Sequence, residues 1–274
     1  MFYTDEVKNR DPRLQQTVLC PNYIQKGETT VTANDLTAYC GYRPIKFVGT
    51  KDHDGAAKST SDWPLMRAAE VYLNYAEAKA ELGTLTKDDL LISIDRIRDR
   101  AGMKGLDMAA ANANPDPFLL ACYPNVTKSE NTGVILEIRR ERTIELVMEG
   151  LRMWDMFRWK EGAQLVNETN PYYGIYFSGP GLYDMDGDGR NDLELYVDKQ
   201  TSSPADGLTV LRIGSDIILS DMAENRGYVV AWSTLKYTWN EERDYLWPIP
   251  ADQRVLTGGL LTQNPGWTDS TDFD

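Results

Sequence analysis

The sequence predicts a mainly α-helical protein, in which helical hairpins are joined by long irregular loops and accompanied by a few short β-strands. Apolar residues recur at helical spacing between residues 63 and 161. The regions on either side are rich in the Gly, Pro, Asn and Asp residues that are typical of loops. Two short runs, Thr209–Ile213 and Gly227–Ala231, have the side chains favoured in strands.

The composition and charge of the 274 residues argue against several classes of function. There are 29 Lys and Arg against 42 Asp and Glu, and a net charge of −13 is a poor match for nucleic acid or anionic lipid. The single histidine, His53, cannot support a zinc site built on several histidines, and it lies in a polar run unsuited to a catalytic base. The three cysteines include no CxxC pair, which argues against a structural zinc cluster.

Two helices with a short link are predicted first. Asp62-Trp63-Pro64 is a helix start, since Asp can cap free amides and Pro is tolerated in the first turn, and Gly83 is the stop. Thr86-Lys87-Asp88-Asp89 has the pattern of a capping box and opens a second helix, which Gly102 ends. The short link requires the two helices to lie antiparallel, and their alanine-rich contact face is similar to that of a tetratricopeptide hairpin.

A second helical region is predicted after a polar connection over residues 103–131, which Asn-Pro and Asp-Pro pairs interrupt. A long helix is expected from about Val134 to Lys160, before Gly162, with Trp154 on its apolar face. Its charged face indicates a structural ladder of ion pairs. Paired carboxylates also serve glycoside hydrolases, but arginine neighbours would lower their pKa and keep them ionised. The charged face comprises Arg142, Glu145, Glu149, Arg152 and Asp155.

Residues 163–246 are predicted to be a loop-rich insertion, and residues 247–267 an extended C-terminal segment interrupted by prolines. The insertion contains an acidic loop with oxygen ligands at positions 1, 3 and 5 and a glycine at position 6, as in calcium loops. Leu195 stands where such loops carry a glutamate, so a solvated Asx-turn loop is the alternative. The candidate Ca²⁺ ligands are Asp184, Asp186, Asp188 and Asp192.

Aromatic residues of the insertion are the candidates for contacts with a ligand, because exposed rings can stack on the apolar faces of sugars. The candidates are Tyr172, Tyr173, Tyr176, Trp232 and Trp239. Burial in a core is the alternative for each of these rings, and the sequence does not distinguish the two.

A series of short motifs runs in order along most of the chain. The helical regions contain R-x-A-E-x-x-L-N-Y-A-E-A, I-x-x-I-R-x-R-A-G and E-R-x-x-E-L-x-x-E-G-x-R-x-x-D-x-x-R-W. They are preceded by D-P-R-L and G-Y-R-P-I-K-F and followed by L-W-P-I-P and L-x-Q-N-P-G-W. Together the motifs resemble those of the SusD/RagB family. In the order given above, they start at residues 67, 94, 141, 11, 41, 246 and 261.

The resemblance implies a SusD-like α/α superhelix, of which residues 1–274 would form the C-terminal region. The N-terminal half of the family, with its signal peptide and lipidated cysteine, would lie outside this sequence, so that the only membrane attachment would be an N-terminal lipid anchor. The implied protein is a non-enzymatic lipoprotein on the surface of the bacterial outer membrane. It would capture glycans, or peptides as in the RagB branch, and deliver them to a SusC-like TonB-dependent transporter. Glycoside hydrolysis is the less favoured alternative.

Overall fold

The structure is a computed structural model that describes residues 3–34, 36, 40–166, 172–203, 207–231 and 238–268. Within these ranges the mainly α-helical class is confirmed, and none of the helices described is long and apolar enough to cross a membrane. The helices are α1 (Tyr3–Glu6), α2 (Leu14–Thr17), α3 (Ala68–Glu81), α4 (Lys87–Leu91), α5 (Ile94–Arg100), α6 (Met108–Ala113), α7 (Pro117–Cys122), α8 (Thr132–Glu145), α9 (Arg152–Arg158) and α10 (Ala251–Leu256). The strands are β1 (Tyr173–Phe177), β2 (Gly181–Tyr183), β3 (Leu193–Tyr196), β4 (Thr209–Arg212), β5 (Leu219–Asp221) and β6 (Arg226–Val230).

Helix α3 begins later than predicted. Arg67 is extended (φ −147°, ψ 158°), so the helix starts at Ala68 and not beside Pro64. The predicted stop is confirmed, because Gly83 adopts a left-handed conformation (φ +70°) and its amide bonds back to the carbonyl of Ala80.

The second predicted helix is in fact two helices, α4 and α5. The capping box is confirmed, since the Thr86 hydroxyl accepts from the Asp89 amide and the Asp89 carboxylate accepts from the Thr86 amide. The chain leaves helical geometry at Ser93 (φ −127°, ψ −100°), whose buried hydroxyl donates to a backbone carbonyl of the preceding turn. The predicted apolar face is nevertheless buried, with Leu90, Ile94, Ile97 and Ala101 all at most 9% exposed.

The region predicted to be a polar connection contains helices α6 and α7. Asp107 caps α6 by accepting the amide of Ala110, and Asp116 caps α7 in the same way. Pro117 occupies the first position of α7, where a missing amide costs no hydrogen bond. The Asp-Pro pair therefore begins a helix, whereas the sequence pattern predicts only that it interrupts the connection.

The prediction of one long helix from Val134 to Lys160 is wrong. Helix α8 ends at Glu145, and the chain turns through left-handed residues Met148 (φ +62°) and Gly150 (φ +79°) before α9 begins. Trp154 is consequently 58% exposed, since α9 does not continue the buried face of α8.

The helical core lies between α3, α5 and α8, which contact one another. Burying a large aliphatic side chain contributes about 1.5–3 kcal/mol, so this set is a main source of stability. The residues that are 0–1% exposed are Leu73, Ala76, Ala80, Leu90, Ile94, Val134, Ile135, Leu136 and Ile138.

A second core lies beneath two three-stranded sheets, with strand orders β1-β6-β5 and β2-β3-β4. All pairs are antiparallel except β3 with β4. The predicted strand runs match β4 and β6 within one residue. Tyr3 of α1 closes this core, and its hydroxyl donates to the carbonyl of Leu19.

The C-terminal segment is held by polar side chains of its own motifs. The side-chain amide of Gln263 accepts a hydrogen bond from the backbone N–H of Ile249 (2.8 Å) and donates one to the backbone carbonyl of Ile249 (3.0 Å). Asn264 donates to the carbonyl of Trp247 (2.7 Å), and the Trp267 indole donates to that of Leu246 (2.8 Å). Helix α10 forms between these anchor points, and the remaining residues are irregular.

Candidate functional site

Three tyrosines meet on the outer surface of the β1-β6 pair. Tyr176 lies directly opposite Tyr228, and Tyr173 lies opposite Val230. Two residues of β1 therefore face one residue of β6, which is the geometry of a β-bulge. The bulge brings Tyr173 and Tyr176 to the same side, although side chains three apart in a regular strand point to opposite faces.

Gly174 lies within the bulge and permits a close backbone contact there. A Cβ atom at this position would lie 2.0 Å from the carbonyl oxygen of Cys40, which is far closer than a real contact. The same carbonyl accepts the amide of Ile175 at 2.9 Å. The backbone near residue 40 thus approaches β1 at the one position where no side chain stands in the way.

We call Tyr173, Tyr176 and Tyr228 the tyrosine face. The rings of Tyr173 and Tyr228 are stacked, with centroids 5.4 Å apart and an interplanar angle of 18°. Tyr176 meets Tyr228 edge-on at 5.2 Å. Tyr173 and Tyr228 are each 43% exposed, and the neighbouring Tyr172 is 58% exposed. The rings form a contiguous aromatic surface that a ligand can reach.

A rigid layer supports the tyrosine face from below. Ile175 and Phe177, which alternate with the outward tyrosines of β1, are fully buried in the second core. The ring of Phe177 packs edge-on against that of Tyr183, with centroids 5.0 Å apart. Because close-packed side chains hold the strand in one conformation, the rings above it are positioned in advance of binding.

The acidic loop lies between β2 and β3, and three of its four predicted ligands converge. One carboxylate oxygen from each of Asp184, Asp186 and Asp188 lies within 4.8 Å of the others. The carboxylate of Asp192, the fourth candidate, accepts the amides of Met185 (2.7 Å) and Asp186 (3.2 Å). The other three carboxylates also accept backbone amides of the loop, as in the Asx-turn alternative. Burial, reinforced by repulsion from the neighbouring carboxylates, raises the pKa of Asp186. A divalent cation bound among the three would relieve that repulsion.

The acidic loop is fixed to the core that supports the tyrosine face. Met185, between two of the converging aspartates, is fully buried in the same cluster as Ile175 and Phe177. The carbonyl of Asp186 accepts the amide of Asn22 at 2.6 Å. The loop is thus held at its centre, where Asp186 is buried, while Asp184 is half-buried and Asp188 is exposed.

Of the two tryptophan candidates, the structure describes Trp239, which packs in the helical region. The ring of Trp239 packs against Phe157 and Tyr245, with centroids 5.6 Å and 5.0 Å away. It also lies against the backbone of Gly162, where a Cβ would come within 1.9 Å of the indole. Trp239 therefore supports the end of α9, and Trp232 lies outside the described residues.

Glu145 and Glu149, the carboxylates considered for hydrolysis, are bound by basic side chains from other elements. Glu145 accepts from Arg13 (3.0 Å), Arg67 (2.6 Å) and Arg100 (2.7 Å). Burial raises the pKa of Glu149, but hydrogen bonds from Arg67 and Lys46 outweigh it and leave that pKa below its ordinary value. Carboxylates held in this way are suited to a structural role and not to proton donation. The predicted ladder along one helix is in fact a network between elements.

Sequence reasoning missed Tyr228. It identified the strand Gly227–Ala231 but selected no residue in it. Alternation along β6 carried the necessary signal, because Gly227 and Val229 are buried and Tyr228 between them points outward.

The chain belongs to the SusD family, since residues 1–267 match the family model. It is similar to the crystal structure of a SusD-like protein from Bacteroides fragilis, with a TM-score of 0.54 and 22% identity over 95% of this chain and 40% of that one. It is also similar to a SusD-like carbohydrate binding protein from the same organism, with a TM-score of 0.53 and 22% identity over 91% and 41% of the two chains. The chain thus spans about two fifths of the length of these structures, and they share its fold. The comparison with curated protein sequences gives no match.

Proposed function

We propose that this chain forms part of a non-catalytic protein that binds glycans at the bacterial cell surface. The observation that carries the proposal is the tyrosine face, an exposed and preorganised set of rings in a member of the SusD family. Rings of this kind bind sugars by stacking on their apolar faces. That one structural neighbour is described as a carbohydrate binding protein supports the same ligand class.

The absence of enzymatic activity is part of the proposal. Its support is that Glu145 and Glu149, which motivated hydrolysis, are engaged by four basic side chains. A glycosidase needs one carboxyl group that is free to donate a proton. The ligand would leave the tyrosine face chemically unchanged.

Membership of the SusD family supports a place on the outer membrane and a partner. In this proposal the protein is held at the cell surface by an N-terminal lipid anchor and delivers its ligand to a SusC-like TonB-dependent transporter. Peptide capture, as in the RagB branch, is the second candidate, because exposed tyrosines also pack well against peptide side chains.

Native affinity electrophoresis distinguishes the ligand classes. The chain is run through gels that contain one polysaccharide each, and its binding to a library of oligopeptides is measured in parallel by fluorescence anisotropy. The proposal expects retardation by at least one polysaccharide. Peptide binding without retardation by any glycan would favour the RagB-like alternative.

We also propose that Asp184, Asp186 and Asp188 hold a Ca²⁺ ion. The support is the convergence of three carboxylates on a loop with the glycine pattern of calcium sites. Isothermal titration with CaCl₂ should release heat at millimolar metal or below, and Asp186→Asn should weaken it. Absence of heat at millimolar Ca²⁺ would contradict this site without affecting the proposed glycan binding.

A further inference from the structure

The outer surface of the β1-β6-β5 sheet continues beyond the tyrosine face, and its next side chains are charged. Residues of β6 alternate between the core and this surface, so Arg226 is on the same side as Tyr228, while Gly227 between them is buried. Two residues of a strand span about 7 Å, which makes the two side chains neighbours. Arg226 lies opposite Asp221 of β5. The surface therefore passes from aromatic rings to an arginine and an aspartate.

A second bulge fixes this charged end to the tyrosine face. Between two paired positions, Gly227 and Tyr228 of β6 face the single residue Ser220 of β5. The Ser220 hydroxyl accepts the amide of Tyr228 at 3.0 Å. A Cβ at Gly227 would lie 2.3 Å from that hydroxyl oxygen, so the close approach requires glycine. Tyr228 and the charged residues beside it are thus held by the same piece of backbone.

Arg226 and Asp221 form an exposed ion pair that leaves hydrogen-bonding groups unused. The Nε atom of Arg226 lies 3.4 Å from Oδ2 of Asp221, and the two side chains are 53% and 42% exposed. Among the residues that the structure describes, none accepts a hydrogen bond from the two terminal nitrogens of Arg226. An exposed pair of this kind contributes little to stability, so folding alone does not account for it.

The pair has the chemistry to bind two adjacent hydroxyl groups. A guanidinium donates hydrogen bonds and a carboxylate accepts them, so one hydroxyl can accept from Arg226 while its neighbour donates to Asp221. Hydroxyls project from the edge of a sugar ring, and a sugar stacked on the tyrosine face therefore directs some of them along the sheet. An acidic sugar would gain from Arg226 what it loses to Asp221, and the exposed Glu224 of the β5–β6 turn adds negative charge.

We propose that Arg226 and Asp221 are the specificity-determining residues of the tyrosine face, and that they select neutral sugars through hydrogen bonds to two adjacent hydroxyls. This inference rests on the proposed binding of glycans at that face. The rings supply apolar contact that many sugars can make. The ion pair supplies the selection, because a site built to bind hydroxyls rejects a ligand in which they are blocked or replaced by charge.

The test is native affinity electrophoresis in gels that contain galactomannan, dextran, laminarin or hydroxyethyl cellulose, each run beside its carboxymethylated form. The dependence of mobility on polysaccharide concentration gives the affinity. The wild type should bind at least one neutral polysaccharide, and its carboxymethylated form about tenfold more weakly. Arg226→Gln should weaken binding of the neutral form about tenfold. Lys51→Gln, which removes an exposed cation that is also paired with a single acid, Glu28, should leave it unchanged.

A second variant separates selection from folding. Asp221→Asn removes the negative charge but keeps an oxygen for the amide of Glu224, which Asp221 accepts at 3.3 Å. It should weaken binding of the neutral polysaccharide and narrow the preference over the carboxymethylated form about two- to threefold. A residue that only supported the turn would not change this preference. Circular dichroism and thermal unfolding establish that each variant is folded.

Three results would overturn this inference and leave glycan binding in place. They are wild-type affinity in Arg226→Gln, an unchanged preference in Asp221→Asn, and binding of a carboxymethylated form by the wild type at least as tight as that of the neutral form. Retardation of the wild type by none of the neutral polysaccharides would overturn the inference together with the glycan binding on which it rests.

Discussion

At position 174 the lack of a side chain lets β1 approach the carbonyl of Cys40, and the bulge at the same place turns Tyr173 to the same side as Tyr176. The sequence predicted Tyr172, Tyr173 and Tyr176 as ligand contacts from residue type alone. It could not predict which of them share a face, because strict alternation separates Tyr173 from Tyr176. The arrangement depends on a contact between segments more than 130 residues apart, which no local pattern encodes.

Gly174→Ala should destabilise the protein by about 3 kcal/mol, since the added methyl group meets backbone that cannot move aside. Urea unfolding measures the change. Gly102→Ala is the matched control, because its added Cβ meets nothing within 4 Å and it bears only the strain of a positive φ, about 1 kcal/mol. An equal cost at both positions would contradict the steric role of Gly174.

We expect Tyr228→Ala to lower the affinity about tenfold, or by about 1.4 kcal/mol, for a glycan that retards the protein in affinity electrophoresis. The physical reason is that Tyr228 contacts both other rings of the tyrosine face. Calorimetric titration provides the measurement. Phe118→Ala, which removes a more exposed ring from α7 (69% against 43% for Tyr228), should bind as the wild type does. Equal losses in the two variants would indicate a nonspecific effect of removing aromatic surface.

At the scale of elements, Glu145 joins segments that are far apart in the sequence. Its carboxylate contacts Arg13 before α2, Arg67 before α3 and Arg100 at the end of α5. Sequence reasoning found the charged residues of the α8–α9 region and their structural role. It assigned their partners to one helix because it did not detect the left-handed turn at Met148 and Gly150. Capping chemistry, which is local, was predicted correctly at Thr86 and missed at Asp107 and Asp116.

Glu145→Ala should cost about 3–5 kcal/mol, because it removes the carboxylate that the buried Arg13 and the partly buried Arg67 share and so leaves an excess of positive charge in the network. The variant is compared with the wild type by guanidinium chloride unfolding. Glu130→Ala, at an exposed glutamate just before α8, should change the free energy of unfolding by less than about 0.5 kcal/mol. A cost below about 1 kcal/mol for Glu145→Ala would mean that the network is not structural.

Glu161, which follows α9, introduces a pH dependence. Burial raises its pKa to about 6, although the amide of Asn125 and the nearby Arg139 oppose the shift. Because the folded state binds this proton more tightly than the unfolded state, the stabilisation is complete below the unfolded pKa and is lost as the pH rises through about 6.

The free energy of unfolding of the wild type, relative to Glu161→Gln, should therefore rise by up to about 2 kcal/mol between pH 7 and pH 4.5. Urea unfolding at each pH gives the comparison. Glu130→Gln is the control and should show no such trend relative to the wild type. A difference between wild type and Glu161→Gln that stays constant with pH would contradict the raised pKa.

At the scale of the whole molecule, the fold class and the SusD family were predicted from helical periodicity and from motifs spread over most of the chain. Those motifs build the frame: the Q-N-P-G-W residues fasten the C-terminal segment, and the arginines and glutamates of the helical motifs form the network around Glu145. The tyrosine face lies outside all of them. Motifs therefore predicted the fold, and the ligand surface required the pairing of β1 with β6, which is set by tertiary contacts.

The central claim is that glycan binds at the tyrosine face, and hydrogen–deuterium exchange of the chain with and without a retarding glycan tests it most directly. We expect slower exchange of backbone amides in β1 and β6, with helices α6 and α7 unaffected. Unchanged exchange in β1 and β6 at a saturating concentration of glycan, or protection confined to α3 and α9, would contradict the claim.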